Sequence, residues 1–256
     1  MSAGKPWTRE ELLVAGLLYC RIPFGRFHHH NPEIIEASAA MGRTPSALAM
    51  KLSNLASLDP VITGSGRSGL AGASAADRAL WQEMHTDWPA FAVAAQEAVE
   101  SIGLGRSEDT QSVQPHRDPD YTGQERTATR SERVGQDLFR DAVLTAYEHR
   151  CCITGLAVPK LLVASHIVPW REDPGNRLNP ANGLCLSSLH DRAFDIGLIT
   201  VREDFTVAVS DKVEDDTGEF WARAVKAFEG RKIGLPDKFP PNTEFLARHR
   251  AEVFLQ

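Results

Sequence analysis

No single core can run through residues 103 to 133, GLGRSEDTQSVQPHRDPDYTGQERTATRSER. The stretch is polar, interrupted by Gly and Pro, and almost without apolar periodicity. It reads as a linker, at least to about residue 125. A chain of 256 residues is long enough for two domains. The expectation is an α+β protein: a helical part over 1–100, a linker over 101–133, and a mixed part over 134–256.

The first part is rich in Ala and Leu. Thr8 with Glu11 three residues on forms a capping box ahead of Leu12, Leu13 and Leu17. Asn31 and Pro32 open a second helix. Gly42 ends it, Thr44 caps a third with Pro45 in its first turn, and Leu48, Leu52 and Leu55 form the buried stripe. Two helices joined by about four residues make a helix-turn-helix arrangement. Used as a DNA reader, the second helix would offer Arg43, Ser46, Ala47, Met50, Lys51 and Asn54. A plain three-helix bundle for packing or dimerisation is the alternative. FHHHNP, 27–32, reads as a polar loop rather than a metal cluster, and TGSGRSGLAGAS, 63–74, as a flexible loop.

In the second part Leu138, Phe139, Ala142, Val143, Ala146 and Tyr147 recur at helical spacing from Val134. A strand then carries His166 in ASHIVPW, a Pro/Asn/Gly-rich loop leads to Asn182, and a helix beginning near Ser188 carries His190. Residues 197–210 read as a hairpin, with helices near 218–228 and 243–254. The strand–loop–helix order suits phosphodiester cleavage. A neutral imidazole on a rigid strand can deprotonate water near neutral pH. An asparagine can hold the loop or the imidazole. A second histidine can ligate a divalent cation.

The stretch ASHIVPW…NPANGLCLSSLHDRAFDIGLI resembles the HNH endonuclease family, in particular its restriction-associated branch. The similarity extends from about Val134 to the C-terminus, and GRTPSALAMKL is similar to the recognition-helix region of Myb-like helix-turn-helix domains. The resemblance implies a metal-dependent DNA endonuclease with a ββα-metal site in 134–256. His166 would be the general base, Asn182 the orienting residue and His190 the metal ligand. Two positions depart from the family pattern: Ser165 stands where a stronger ligand often precedes the base, and Phe194 where a second helical histidine often stands. Asp195 is the favoured carboxylate, ahead of Asp191. So sparse a ligand set suits Mg²⁺, with Mn²⁺ or Ni²⁺ as alternatives.

CCITGL lacks the paired Cys-x-x-Cys of a structural zinc site, which is therefore not expected. Four scattered cysteines suit reduced thiols in a cytoplasm. No apolar run is long enough to span a membrane and the start lacks the apolar core of a secretory signal. The net charge of −6 argues against a general nucleic-acid coat protein. It leaves room for a local basic track of Arg171, Arg177 and Arg192 around the motif. The partner is then DNA, with a homodimer where both strands are cut. Two other readings stay open: an HNH fold kept only as a DNA-binding scaffold, and a nuclease effector switched on by a ligand or partner.

Overall fold

The computed structural model describes residues 5–67, 69, 72–104, 128–212 and 218–255, with side chains of the helix that opens at 128 described from 134 onward. The chain divides into two compact units, Met1–Leu138 and Phe139–Gln256. Among the described residues, no helix is long and apolar enough to cross a membrane. The architecture is α+β, with a helical first unit and both small sheets in the second.

The first unit contains α1 (Arg9–Arg21), α2 (Pro32–Ala40), α3 (Pro45–Ala56), α4 (Pro60–Gly64), α5 (Ala75–Thr86) and α6 (Trp88–Ser101). Thr8 and Glu11 form the reciprocal capping box, and Asn31 and Thr44 cap α2 and α3. Helix α1 packs on α6, α3 and α5. It approaches α6 at Gly16, where a Cβ would stand 3.0 Å from Phe91 Cζ. Gly42, at φ 62°, makes the left-handed turn between α2 and α3. The glycine-rich loop is packed at Gly69, where a Cβ would lie 2.3 Å from the Ser53 carbonyl at the end of α3.

Two proposed DNA contacts are spent inside this unit. Arg43 donates to the carbonyls of Lys5 and Pro6 and to Glu11 Oε2 at 2.6 Å, and lies over the Trp7 ring. Lys51 is buried against the fully buried carboxylate of Asp77. These are the only cations between Pro32 and Ala56. Arg43 and Lys51, expected to face DNA, are engaged within the unit by Glu11 and Asp77. Ser46 stays exposed and Asn54 half-buried beside Gly72.

Helix α7 (Ala128–Ala146) opens six residues before Val134 and runs across the division into the second unit. The rest of the expected linker, 105–127, lies outside the described residues. After α7 come β1 (Leu162–His166), β2 (Gly183–Ser187), α8 (Ser188–Asp195), β3 (Ile199–Val201), β4 (Val207–Val209), α9 (Gly218–Ala224) and α10 (Thr243–Glu252). Strands β1 and β2 pair antiparallel with Leu162 opposite Ser187 and His166 opposite Gly183. Strands β3 and β4 form the second hairpin, with Phe205 in its turn at φ 63°. Arg140 of α7 donates to the Leu162 carbonyl at 3.1 Å, tying the helix to β1.

Removing one partner of a buried ion pair leaves an uncompensated charge. Lys51→Ala should therefore destabilise the chain by about 3 kcal/mol or more, read as a fall in the urea midpoint. Its DNA affinity, measured on folded protein, should stay at the wild-type value.

Candidate active site

The ββα unit places three predicted residues on three successive elements. His166 is the last residue of β1, Asn182 immediately precedes β2, and His190 lies in the first turn of α8. Strand alternation puts His166 on the face that meets α7 and Ser165 on the opposite face. Opposite His166 stands Gly183, where a Cβ would fall 2.4 Å from Val143 Cγ2 and 2.9 Å from Phe139 Cζ. Only glycine lets α7 approach this closely.

The His166 ring stacks on Phe139, with centroids 4.0 Å apart and planes 9° off parallel, and Trp170 stands edge-on at 5.4 Å. Its Nε2 lies 2.9 Å from the Arg177 carbonyl. A carbonyl only accepts, so Nε2 carries the hydrogen and Nδ1 keeps the lone pair. Burial holds the imidazole below its ordinary pKa of 6.5, and the bond to Arg177 opposes that only in part. Near neutral pH the ring is an uncharged base of defined tautomer.

Asn182 is fully buried and holds the chain that follows His166. Its Oδ1 accepts from Val168 N at 2.8 Å, and its Nδ2 donates to Val168 O at 3.2 Å and Asn176 O at 3.4 Å. Its carbonyl accepts from Ile167 N at 2.9 Å. Asn182 thus orients the loop rather than the imidazole, since none of these bonds reaches the ring.

His190 is buried, with Nδ1 2.8 Å from the Oγ of Ser187, the residue that caps α8. Burial lowers its pKa. The Ala224 carbonyl raises it in opposition, but lies outside hydrogen-bond geometry, because Nε2 is buried without a partner. Ser165 is also buried, and its Oγ likewise has no partner. Two of the three residues that the sequence offered as ligands therefore present an unsatisfied polar atom inside the fold.

The third offered ligand is placed differently. Asp195 is five residues beyond His190, about 140° round the helix, and its side chain is exposed. Neighbouring protein and then Asp191 push its carboxyl up to about 6, against the pull of Arg192. The position one turn beyond His190 is filled by buried Phe194. Among the described residues, no group of three or more His, Cys, Asp or Glu is placed to hold a metal. Arg171 and Arg192 are exposed, and half-buried Arg177 lies over the Trp170 ring at 4.9 Å.

Near the hairpin, Cys151, Cys152 and Cys185 are free and buried. Burial first, and the adjacent thiols next, push Cys152 well up, while Cys185 rises to about 12. Both are protonated thiols.

Residues 151–202 match the HNH endonuclease family. The HNH segment runs from Cys151 through β1, β2 and α8 to the end of β3, and so includes His166, Asn182 and His190. It supports nuclease activity with DNA as substrate. A comparison with curated proteins found no match.

Sequence reasoning did not anticipate Phe139 as the ring beneath His166, the Arg177 carbonyl that sets its tautomer, or Ser187 beside His190. Ser187 alone left a signal: a serine three residues before His190, at the start of a helix.

Asn182→Ala would leave Val168 N and O buried without partners. Each such group costs about 1–3 kcal/mol, so a loss of about 2–6 kcal/mol in urea unfolding is expected, larger than for Asn179→Ala on the same loop.

Proposed function

We propose that the second unit is a divalent-metal-dependent endonuclease that hydrolyses DNA phosphodiester bonds, with His166 as its general base. The observation that carries this reading is the hydrogen bond from His166 Nε2 to the Arg177 carbonyl. It leaves the Nδ1 lone pair to take a proton from the attacking water. Asn182 acts as a positioning residue, because it holds the loop from which Arg177 reaches back to the ring.

Ser165 Oγ and His190 Nε2, both buried and without partners, fit a divalent cation that keeps several waters, and this favours Mg²⁺. Ser187 Oγ can accept a hydrogen from His190 Nδ1, which frees Nε2 as the ligand atom. When bound, the ion would stabilise negative charge on the phosphate and leaving oxygen. Arg171, Arg177 and Arg192 would supply phosphate contacts. With no cation on α2 or α3 outside an internal ion pair, those two helices would add to DNA contact only through neutral groups such as Ser46 and Asn54. The likeness of the motif to the restriction-associated branch supports a role in restriction or phage defence. Cutting both strands would need two copies on the DNA.

Supercoiled plasmid incubated with Mg²⁺ or Mn²⁺ should be nicked by the wild type and left intact in chelator. His166→Ala should lower the rate at least about 100-fold while retaining DNA binding. Absence of nicking with any divalent metal would overturn the reading. The pH profile gives a second check. A base must be neutral to act, and a lowered pKa keeps His166 neutral to lower pH. The acid limb of kcat/KM should therefore fall below 6.5.

A further inference from the structure

Helix α8 has eight residues, too few to hold its position by helix propensity alone. Its start is capped by Ser187 and its end leaves backbone carbonyls to be satisfied. The Phe194 carbonyl, one turn beyond His190, accepts from Gly197 N at 3.0 Å. It also faces Nε2 of His249, on α10, at 3.1 Å.

His249 is 2% exposed. Its ring stacks on Phe194, with centroids 3.6 Å apart and planes 11° off parallel. Because the Phe194 carbonyl can only accept, Nε2 carries the hydrogen. The Nδ1 lone pair then accepts from the Thr200 hydroxyl on β3, 2.8 Å away. Both ring nitrogens are satisfied and one ring face is covered, so the imidazole has a single orientation. It joins α8, β3 and α10 at one point. Nearby, Leu255 N donates to the Gly197 carbonyl at 3.0 Å, and a Cβ on Gly197 would lie 2.1 Å from the Val253 carbonyl. The end of α10 is thus seated directly on the turn that closes α8, although it lies outside the segment that matches the family.

We infer that His249 is a positioning residue for the nuclease, fixing α8, and with it His190, through the carbonyl of Phe194. The inference rests on the proposed endonuclease reading. It assigns to the carboxy-terminal helix a share in the active geometry.

The test uses the full chain with Mg²⁺ and supercoiled plasmid, comparing His249→Leu, His249→Gln and Leu246→Ala below their melting temperatures. Leu246 is fully buried on the same helix, so its truncation reports stability loss alone. His249→Leu should lower kcat by about tenfold or more, as small misplacements of catalytic groups do, with KM for plasmid within about twofold. His249→Gln, whose amide can donate to Phe194, should recover most of the rate. Leu246→Ala should keep kcat near wild type. Unchanged kcat in His249→Leu, or equal losses in His249→Leu and Leu246→Ala, would overturn the inference. Hydrogen exchange over 194–198 separates its failure from that of the nuclease reading. If the wild type does not nick, faster exchange in His249→Leu than in Leu246→Ala still supports the brace, and equal exchange overturns it.

Discussion

Where β2 begins, the backbone of Gly183 presses against Phe139 and Val143 of α7, leaving no room for a side chain. That close approach lets the Phe139 ring slide under the edge of the hairpin and stack on His166. The imidazole is thereby held flat between an aromatic face and the loop that returns to Asn182. With the ring in place, the Arg177 carbonyl meets Nε2 and the tautomer follows. An imidazole on a flexible loop would share its proton between two nitrogens. Here packing decides the matter before any substrate arrives.

The two units handle charge in different ways. In the first, Glu11, Asp59 and Asp77 are buried and each has a partner: Arg43, the Tyr19 hydroxyl at 2.6 Å, and Lys51. Such pairs hold helices in register at a cost in desolvation. In the second unit, Ser165 and His190 are buried with a polar atom left over. Folding tolerates such groups rarely, and then chiefly where function needs them. Both residues lie in the segment that matches the HNH endonuclease family.

Much of the fold was legible because its signals are local. Thr8 with Glu11, Asn31 before Pro32, and Thr44 before Pro45 each mark a helix start, and each helix is found there. The order of His166, Asn182 and His190 on strand, loop and helix could be read for the same reason. The fate of Arg43 and Lys51 could not. Both sit where a reading helix would carry cations, and only the tertiary approach of Glu11 and Asp77, from 32 and 26 residues away, takes them inside. Asp195 lies about 140° round the helix from His190, a placement that helical rotation and not nearness in sequence decides. The polarity of 128–133 hid the first turns of α7, since no apolar stripe marks them.

The cysteines carry one more consequence. All four are buried and unoxidised, Cys20 in the first unit and the other three in the second. A buried thiol is out of a reagent's reach, so alkylation must wait for the surrounding structure to open. The rate at which each cysteine is modified therefore measures the opening of its own unit. The chain carries a native chemical clock for the local stability of both halves, with no label to be engineered in.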